Sequence, residues 1–254
     1  MRPPTTVRTA KLTEEPYASI VCYPRANSSE MLERIEELQQ HGVEAIEFVG
    51  KTSAFKTPIL GKGYVGVVVI AHVKGQRVAL KMRRVDAERE SLEREAELLV
   101  KANNVNVGPK FLAAIKDFLL MQLIDGDLLA DWLETHKCKK LIRKVLVDIL
   151  EQCWRLDEAG LDHGELSKAP KHLLVDQTNK PFIVDFETAS LERKVINVTS
   201  VCQFLFQGNS AAAKLISDAF GQRDRTKLIG ALKLYKRDRN RKNFEEILEL
   251  ALNE

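Results

Sequence analysis

A glycine-rich corner followed by two β-rich runs constrains the fold of this chain more than any other stretch. The sequence from Ile59 to Val85 reads ILGKGYVGVVVIAHVKGQRVALKMRRV, and Lys74-Gly75 separates its two β-rich runs. A glycine-containing turn between two such runs is typical of a β-hairpin. The stretch therefore predicts an antiparallel sheet whose first corner is rich in glycine.

The glycines of this corner follow a phosphate-binding pattern. Gly61, Gly63, Gly66 and Val68 fit G-x-G-x-x-G-x-V. The dinucleotide-binding form of the motif opens a helix, whereas here the β-branched run VGVVVIAHV follows, so a Rossmann site is not expected. Glycines between antiparallel strands instead let backbone N–H groups approach phosphate oxygens, as in a kinase flap. The alternative is an ordinary hairpin with glycines at its bend.

A lysine and a glutamate follow the glycine corner. The run VALK places Lys81 in a hydrophobic strand, where an ammonium needs a partner such as a phosphate or a carboxylate. Glu95 on the next predicted helix is the best candidate, because apolar residues follow it at one and four positions, and Glu93 is the runner-up. Taken singly, a helical glutamate is more often an ordinary surface residue.

Composition narrows the class of protein. The chain has 254 residues, 44% of them apolar, and 39 basic against 36 acidic residues leave a net charge of only +3. This predicts a globular chain with a real core and gives no general reason to expect nucleic acid or an acidic membrane as a partner. The scattered cysteines argue against zinc or a disulfide framework, and no apolar run spans a bilayer. We expect a soluble cytoplasmic protein with reduced thiols and no membrane partner.

Local patterns predict the order of the elements. After a polar start that we expect to be mobile, Tyr17–Pro24 reads as a strand, a helix runs from an Asn27 cap to a stop at Gly42, and VEAIEFVG reads as strand again. These residues would form a β-α-β appendage that covers an edge of the next sheet. A helix over 86–102 and two more strands follow, and the chain beyond Met121 is mostly helical.

In this order and spacing the motifs resemble those of the protein-kinase-like superfamily, over about residues 58 to 206. The resemblance is greatest to the RIO group, to the small kinase of the tRNA threonylcarbamoylation complex and to small archaeal serine/threonine protein kinases. It implies an α+β, two-lobed kinase-like fold, with an antiparallel sheet plus one helix in the N-lobe and a mostly helical C-lobe. The expected boundaries are 1–48 for the appendage, 49–120 for the N-lobe and 121–254 for the C-lobe.

The resemblance also implies an ATP site. The glycine loop would cover the triphosphate, and Lys81 paired with Glu95 would hold its α- and β-phosphates. The stretch MQLIDG resembles the hinge between lobes, so Met121 would border the adenine pocket and the backbone of Gln122 to Leu123 would bind the base. The ring would lie between three apolar side chains, namely Val68, Ala79 and Leu174.

Two further stretches resemble the catalytic machinery. HGELS, at 163–167, is similar to the HGDLS of RIO-type kinases, which puts Glu165 at the catalytic base position. IVDFE resembles the D-F-G turn, so Asp185 would bind the metal and Phe186 would pack near Leu99. His163 would be a structural residue beneath the loop.

The loop departs from the family pattern at two points. His172 lies thirteen residues before Asp185, at the position where the family has its metal-binding asparagine. Glu165 lies seven positions before His172, whereas in the family the base lies five positions before the asparagine. We interpret the longer carboxylate and the two extra residues, shaped by Pro170, as compensating changes. A histidine nitrogen suits Mn²⁺ better than Mg²⁺, so Mn²⁺ preference is expected unless Glu187 supplies an oxygen or one metal suffices.

The expected function is ATP-dependent phosphoryl transfer to a serine or threonine hydroxyl of a protein, or of the chain itself. Only about a dozen residues follow DFE before the next helical stretch, which leaves no room for a long activation segment. Two alternatives stay open: a nucleotide-binding pseudokinase or ATPase-type regulator, and a small-molecule kinase. The basic stretch from Lys233 to Lys242 is either a solvated helix face or a patch for RNA or a ribonucleoprotein.

Overall fold

The computed structural model describes residues 4–252 and shows an α+β protein. The chain divides into two compact units, which comprise residues 4–97 with 110–123 and residues 98–109 with 124–252. The boundaries at residues 48 and 120, which follow from the motif resemblance, stay a prediction.

The first unit is built on a seven-stranded antiparallel sheet. Its strands are, in order across the sheet, β1 (Thr5–Arg8), β2 (Val43–Phe48), β6 (Gly66–Val73), β7 (Gln76–Arg83), β9 (Phe118–Gln122) and β8 (Phe111–Ile115), with β5 (Gly61–Lys62) paired to β6. A small hairpin joins β3 (Thr52–Ala54) and β4 (Thr57–Ile59). The predicted hairpin is confirmed, because β6 and β7 pair over their whole length. Its turn residues Lys74 and Gly75 have φ of 50° and 72°, which matches the twist of the strands.

The N-terminal segment differs from its prediction. The expected strand at Tyr17–Pro24 is wrong: residues Tyr17–Val21 form the short helix α1, and the strand beside β2 is β1, in the stretch expected to be mobile. Because β1 occupies that edge, the apolar residues Ala18, Ile20 and Val21 pack into the core from a helix instead of entering the ladder.

The second helix of this segment follows its prediction in most respects. Helix α2 covers Ser28–Gln40, the Asn27 side chain accepts from Ser29 N at 3.2 Å, and Gly42 has φ of 74°. Glu30 in the first turn forms an ion pair with Arg34, and Leu32 is 57% exposed.

The sheet of the first unit has two faces with different roles. Val67, Val69 and Leu80 belong to one buried cluster with residues of α1 and α2. Strand residues alternate between faces, so Lys81, which pairs with Val68, lies on the opposite face. The N-terminal segment therefore adds edge strands and covers one face, which leaves Lys81 on the other.

Helix α3 covers Glu93–Asn104 and begins seven residues later than predicted. Asp86 is paired with Arg84 at 2.7 Å, and the N–H of Leu92 donates to Lys116 O at 2.9 Å in the turn between β8 and β9. Residues 86–92 are thus held by side-chain and turn contacts in place of helical ones.

The second unit is mostly helical, as predicted. Its helices, besides the end of α3, are α4 (Leu129–Thr135), α5 (Lys139–Glu158), α6 (Asn197–Cys202), α7 (Ala211–Phe220), α8 (Arg225–Arg237) and α9 (Arg241–Leu252). A three-stranded antiparallel sheet consists of β10 (Gly126–Leu128), β11 (Leu173–Asp176) and β12 (Pro181–Ile183). Gly160, with φ of 70°, follows α5 at the predicted stop.

The cysteines and the helices bear on the predictions made from composition. The cysteines are free thiols, and Cys22, Cys153 and Cys202 are buried while Cys138 is exposed. Between residues 4 and 252, none of the helices combines the length and the apolar composition needed to cross a bilayer.

Candidate functional site

The predicted lysine–glutamate pair is present in the first unit. The Nζ of Lys81 lies 2.9 Å from Oε1 and 2.8 Å from Oε2 of Glu95, and each residue is only 4% exposed. The runner-up, Glu93, is exposed. Because burying a charge is costly unless it is paired, the sheet and α3 must hold both groups in this geometry.

The glycine loop lies against Lys81. A Cβ on Gly66 would meet Met82 O at 2.9 Å and the Lys81 side chain at 3.0 Å, so glycine is required there for packing. The N–H of Gly63 donates to Gly66 O at 2.8 Å, which closes the loop, and Gly61 pairs with Val68. The three glycines therefore form a tight corner beside the buried lysine.

Tyr23 supports this corner, a role that no local sequence pattern indicates. Arg84 donates to Gly63 O at 3.1 Å, and its guanidinium lies 5.1 Å from the centre of the Tyr23 ring. The ammonium of Lys62 lies 5.4 Å from the same ring. A tyrosine distant in sequence thus holds cations from both sides of the loop.

Some of the residues expected around adenine share one face of the first unit's sheet. Ala79 is opposite Met121 in the register and two residues from Lys81, so these side chains lie on the face that carries Val68. Leu123 ends the first unit, whereas Leu174 lies in β11 of the second unit, opposite Leu128 and Phe182. An adenine pocket formed with Leu174 stays a prediction.

In the second unit, His163 contacts the segment that leads from β12 to Asp185. The imidazole is fully buried, its Nε2 lies 3.1 Å from Val184 O, and its ring meets that of Phe186 edge-on at 5.2 Å. Burial, with a smaller contribution from the neighbouring His172, lowers the pKa of His163 to about 4. His163 is therefore a neutral residue beneath the loop, as its structural role requires.

Glu165 and His172 meet in spite of the two extra residues between them. Residues Leu166–Lys168 form one 3-10 turn, in which Lys168 N donates to Glu165 O at 3.0 Å. The loop closes so that His172 Nε2 lies 2.9 Å from Glu165 Oε2, and His172 Nδ1 lies 4.0 Å from Asp185 Oδ2. The insertion is thus absorbed by a helical turn, and His172 stands between the two carboxylates.

Asp185 has a left-handed backbone conformation. Its φ is 70°, in the left-handed region that non-glycine residues seldom adopt, and its side chain is 41% exposed. Phe186 is buried against Gly108, where a Cβ would meet Phe186 at 2.9 Å and Leu99 at 3.2 Å. A carboxylate oxygen of Asp185 lies within 4.8 Å of one of Glu187. The two acidic side chains offer oxygen ligands to a cation.

The segment after Glu187 returns directly to the loop. Asp162 and Ser190 exchange backbone hydrogen bonds of 2.9 and 2.8 Å, and Arg193 lies 3.0 Å from the Asp162 carboxylate. A Cβ on Gly164, whose φ is 93°, would be 2.5 Å from Arg193 Nη2. Only residues 187–196 separate Phe186 from α6, so the expected short connection is confirmed.

A buried polar cluster beneath the loop was missed by sequence reasoning. The Asp157 carboxylate accepts from Asn197 N at 2.9 Å and from Tyr235 OH at 2.8 Å, and Asn197 accepts from His163 N at 2.8 Å. Burial raises the pKa of Asp157, although these hydrogen bonds oppose the shift. A carboxylate on the mostly apolar buried face of α5 was the signal that could have identified it.

The predicted basic stretch is partly used within the second unit. Arg239 donates to Asp157 O at 3.2 Å, and Arg241 contacts Glu151 at 2.7 Å and Glu245 at 2.9 Å. These contacts favour the interpretation of this stretch as a helix connection with a solvated face, and a nucleic-acid partner stays a prediction.

Comparison with known proteins relates this chain to one other protein by sequence. No protein-family model matches it. One similar protein is the uncharacterized protein MJ1211 of Methanocaldococcus jannaschii, which is 32% identical over 98 residues. The match covers 39% of this chain and 81% of the relative. The chain therefore belongs to the same family as MJ1211.

Proposed function

We propose that this chain is an ATP-dependent phosphotransferase with a two-lobed, RIO-like kinase fold that transfers phosphate to a serine or threonine hydroxyl. The observation that carries the proposal is the buried pair of Lys81 and Glu95, at 2.8–2.9 Å, beside the glycine corner at Gly66. A buried ammonium costs free energy that an apolar residue would avoid, so a phosphate-binding role gives a reason for its presence.

The second unit carries the remaining residues that phosphoryl transfer needs. Asp185 presents a half-exposed carboxylate from a constrained turn, and Glu187 lies near it. These oxygens, with His172, fit a divalent cation, which would neutralise charge on the phosphates when bound. Glu165, with a side chain 43% exposed, would accept or orient the proton of the acceptor hydroxyl. Catalysis would then consist mainly of positioning and charge neutralisation.

The acceptor would be a protein or the chain itself. The short segment 187–196 is bound to the loop by the Asp162–Ser190 bridge and by Arg193, so it offers no long platform for a peptide. A small-molecule acceptor is the alternative that this short segment favours. Incubation with sugars, nucleosides and proteins in parallel would distinguish the two.

The test is transfer of γ-phosphate from labelled ATP to the chain and to a generic protein acceptor, with Mg²⁺ and with Mn²⁺. We expect Asp185→Asn and Lys81→Met to abolish transfer, and Glu165→Gln to reduce it on the order of 10²–10⁴-fold. Glu95→Gln should also reduce transfer, and Glu93→Gln is its matched control because Glu93 is exposed on the same helix. Full transfer by Asp185→Asn would refute the proposal.

A nucleotide-binding regulator without useful catalysis is the second candidate. It is favoured by the contact between Glu165 Oε2 and His172 Nε2 at 2.9 Å, because this oxygen is already engaged. ATP binding that depends on Lys81, with no transfer under either metal, would support the regulator and exclude the kinase.

A further inference from the structure

The two ring nitrogens of His172 have different surroundings. Nε2 lies 2.9 Å from Glu165 Oε2, whereas Nδ1 has no hydrogen-bond partner among residues 4–252 although it is buried. Nδ1 points toward Asp185, whose Oδ2 is 4.0 Å away. His172 is only 8% exposed, so bulk water does not provide an easy partner for Nδ1. A buried polar atom in this position requires an explanation.

The contact with Glu165 gives the two ring nitrogens different roles. A carboxylate accepts hydrogen bonds, so Nε2 is the nitrogen that donates to Glu165. Nδ1, which lies nearer the Asp185 carboxylate, is the nitrogen that can offer a lone pair to a metal ion. Two lone-pair groups that face each other across a short gap are suited to share a cation.

The gap is short enough for one metal ion to bridge. Bonds from a transition metal such as zinc to imidazole nitrogen and carboxylate oxygen are about 2.0–2.2 Å, so two ligand atoms are about 3 Å apart at a right angle and at most about 4.3 Å apart on opposite sides of the ion. The 4.0 Å between Nδ1 and Oδ2 falls within this limit. Glu187, with a carboxylate oxygen within 4.8 Å of Asp185, can add a third ligand by a change of rotamer.

We propose that His172 Nδ1 and Asp185 Oδ2 bind a divalent transition-metal ion in preference to Mg²⁺, with Glu165 as the carboxylate that orients the histidine. A metal-bound histidine usually donates its other N–H to a carboxylate or a carbonyl, which is the arrangement found here. Imidazole suits transition metals, whereas Mg²⁺ favours oxygen ligands in an octahedral set. The inference rests on the proposed function only in assigning the metal to Asp185.

The inference also assigns a positioning role to Glu165. One of its oxygens holds His172, so replacing it with glutamine changes the orientation and basicity of a ligand and not the ligand itself. We expect Glu165→Gln to weaken metal binding about 10–100-fold, as for other carboxylates that support a metal-bound histidine. A residue that served only as a proton acceptor would leave metal binding unchanged.

The experiment measures binding of Mn²⁺ alone to the full chain by electron paramagnetic resonance, with Mg²⁺ as competitor. Pulsed spectra of the wild type should show coupling to a ring nitrogen. His172→Asn, which puts an oxygen near the position of Nδ1, should lose this coupling and bind Mg²⁺ more nearly as well as Mn²⁺. His41→Asn is the matched control, because His41 is exposed in the first unit and its Nδ1 bonds to Glu37 O at the end of its own helix.

Each result decides the inference independently of transfer activity. Nitrogen coupling that is present in the wild type and in His41→Asn, and absent in His172→Asn, supports it. Bound Mn²⁺ without nitrogen coupling in the wild type, or coupling that persists in His172→Asn, overturns it. Nitrogen-coupled Mn²⁺ in a chain that transfers no phosphate would remove the proposed function and leave this metal site in place.

Discussion

Protonation of His163 should limit the stability of the second unit in acid. The ring is fully buried, donates from Nε2 to Val184 O, and lies against Phe186 and His172. Burial lowers its pKa from 6.5 to about 4 in the folded protein. Between these pH values the unfolded chain binds more protons than the folded one, so the free energy of unfolding must fall as the pH falls.

The size of the effect follows from the two pKa values. The contribution of His163 is fully present above pH 6.5 and is lost as the pH falls through about 4. From these values we expect a loss of about 2 kcal/mol at pH 5 and about 3 kcal/mol at pH 4. The residue is almost wholly buried, so solvent screening should reduce this only slightly.

The assay is urea unfolding of the wild type and of His163→Gln at several pH values between 7.5 and 4. Glutamine keeps a donor at the same distance along the side chain as Nε2, and it does not titrate. The chain's two tryptophans, Trp132 and Trp154, both lie in the second unit, so their fluorescence reports this unit. Other groups titrate in both proteins and cancel in the difference. Parallel curves over the whole range would refute the reasoning.

Three further changes test the packing around the site. Tyr235→Phe removes a 2.8 Å hydrogen bond to the buried Asp157 carboxylate and should lower the free energy of unfolding, followed by tryptophan fluorescence, by about 1.5–3 kcal/mol. Gly66→Ala would place a Cβ 2.9 Å from Met82 O and should lower the first unit's stability by about 1–3 kcal/mol in circular dichroism melts, while an unchanged melt would contradict the packing. Lys81→Met should abolish saturable binding of a fluorescent ATP analogue, and unchanged affinity would argue against a phosphate role.

The contact between Glu165 and His172 bears on how the altered loop arose. Glutamate, two extra residues and histidine are three departures from the resembled pattern, and the structure joins them. The 3-10 turn at Leu166–Lys168 takes up the extra length, and the longer carboxylate reaches the imidazole. This geometry agrees with compensating changes. The contact that these changes produce, however, is the one that holds His172. Whether Glu165 also acts on an acceptor hydroxyl is decided by the transfer assay.

Local patterns predicted the elements that local forces control. The β6–β7 hairpin follows from Lys74-Gly75 between two β-rich runs, and α5 ends where Gly160 permits a positive φ. The same patterns were misleading at Tyr17–Val21, where β-branched residues form a helix. Residues 5–8 form the strand beside β2, so the apolar side chains of Tyr17–Val21 are buried from a helix and not from a strand.

For the candidate site, the sequence alone determined which residue types are present and in what order. Glycine corners, a lysine in an apolar strand and an aspartate after a strand are local features of the chain. Only the tertiary structure decided that Glu95 and not Glu93 meets Lys81, since helix phase against the sheet selects the inward side chain. It also decided that His172 lies between Glu165 and Asp185. Contacts across a turn or between separate segments depend on the path of the backbone. The residues next to each side chain in the sequence do not determine that path.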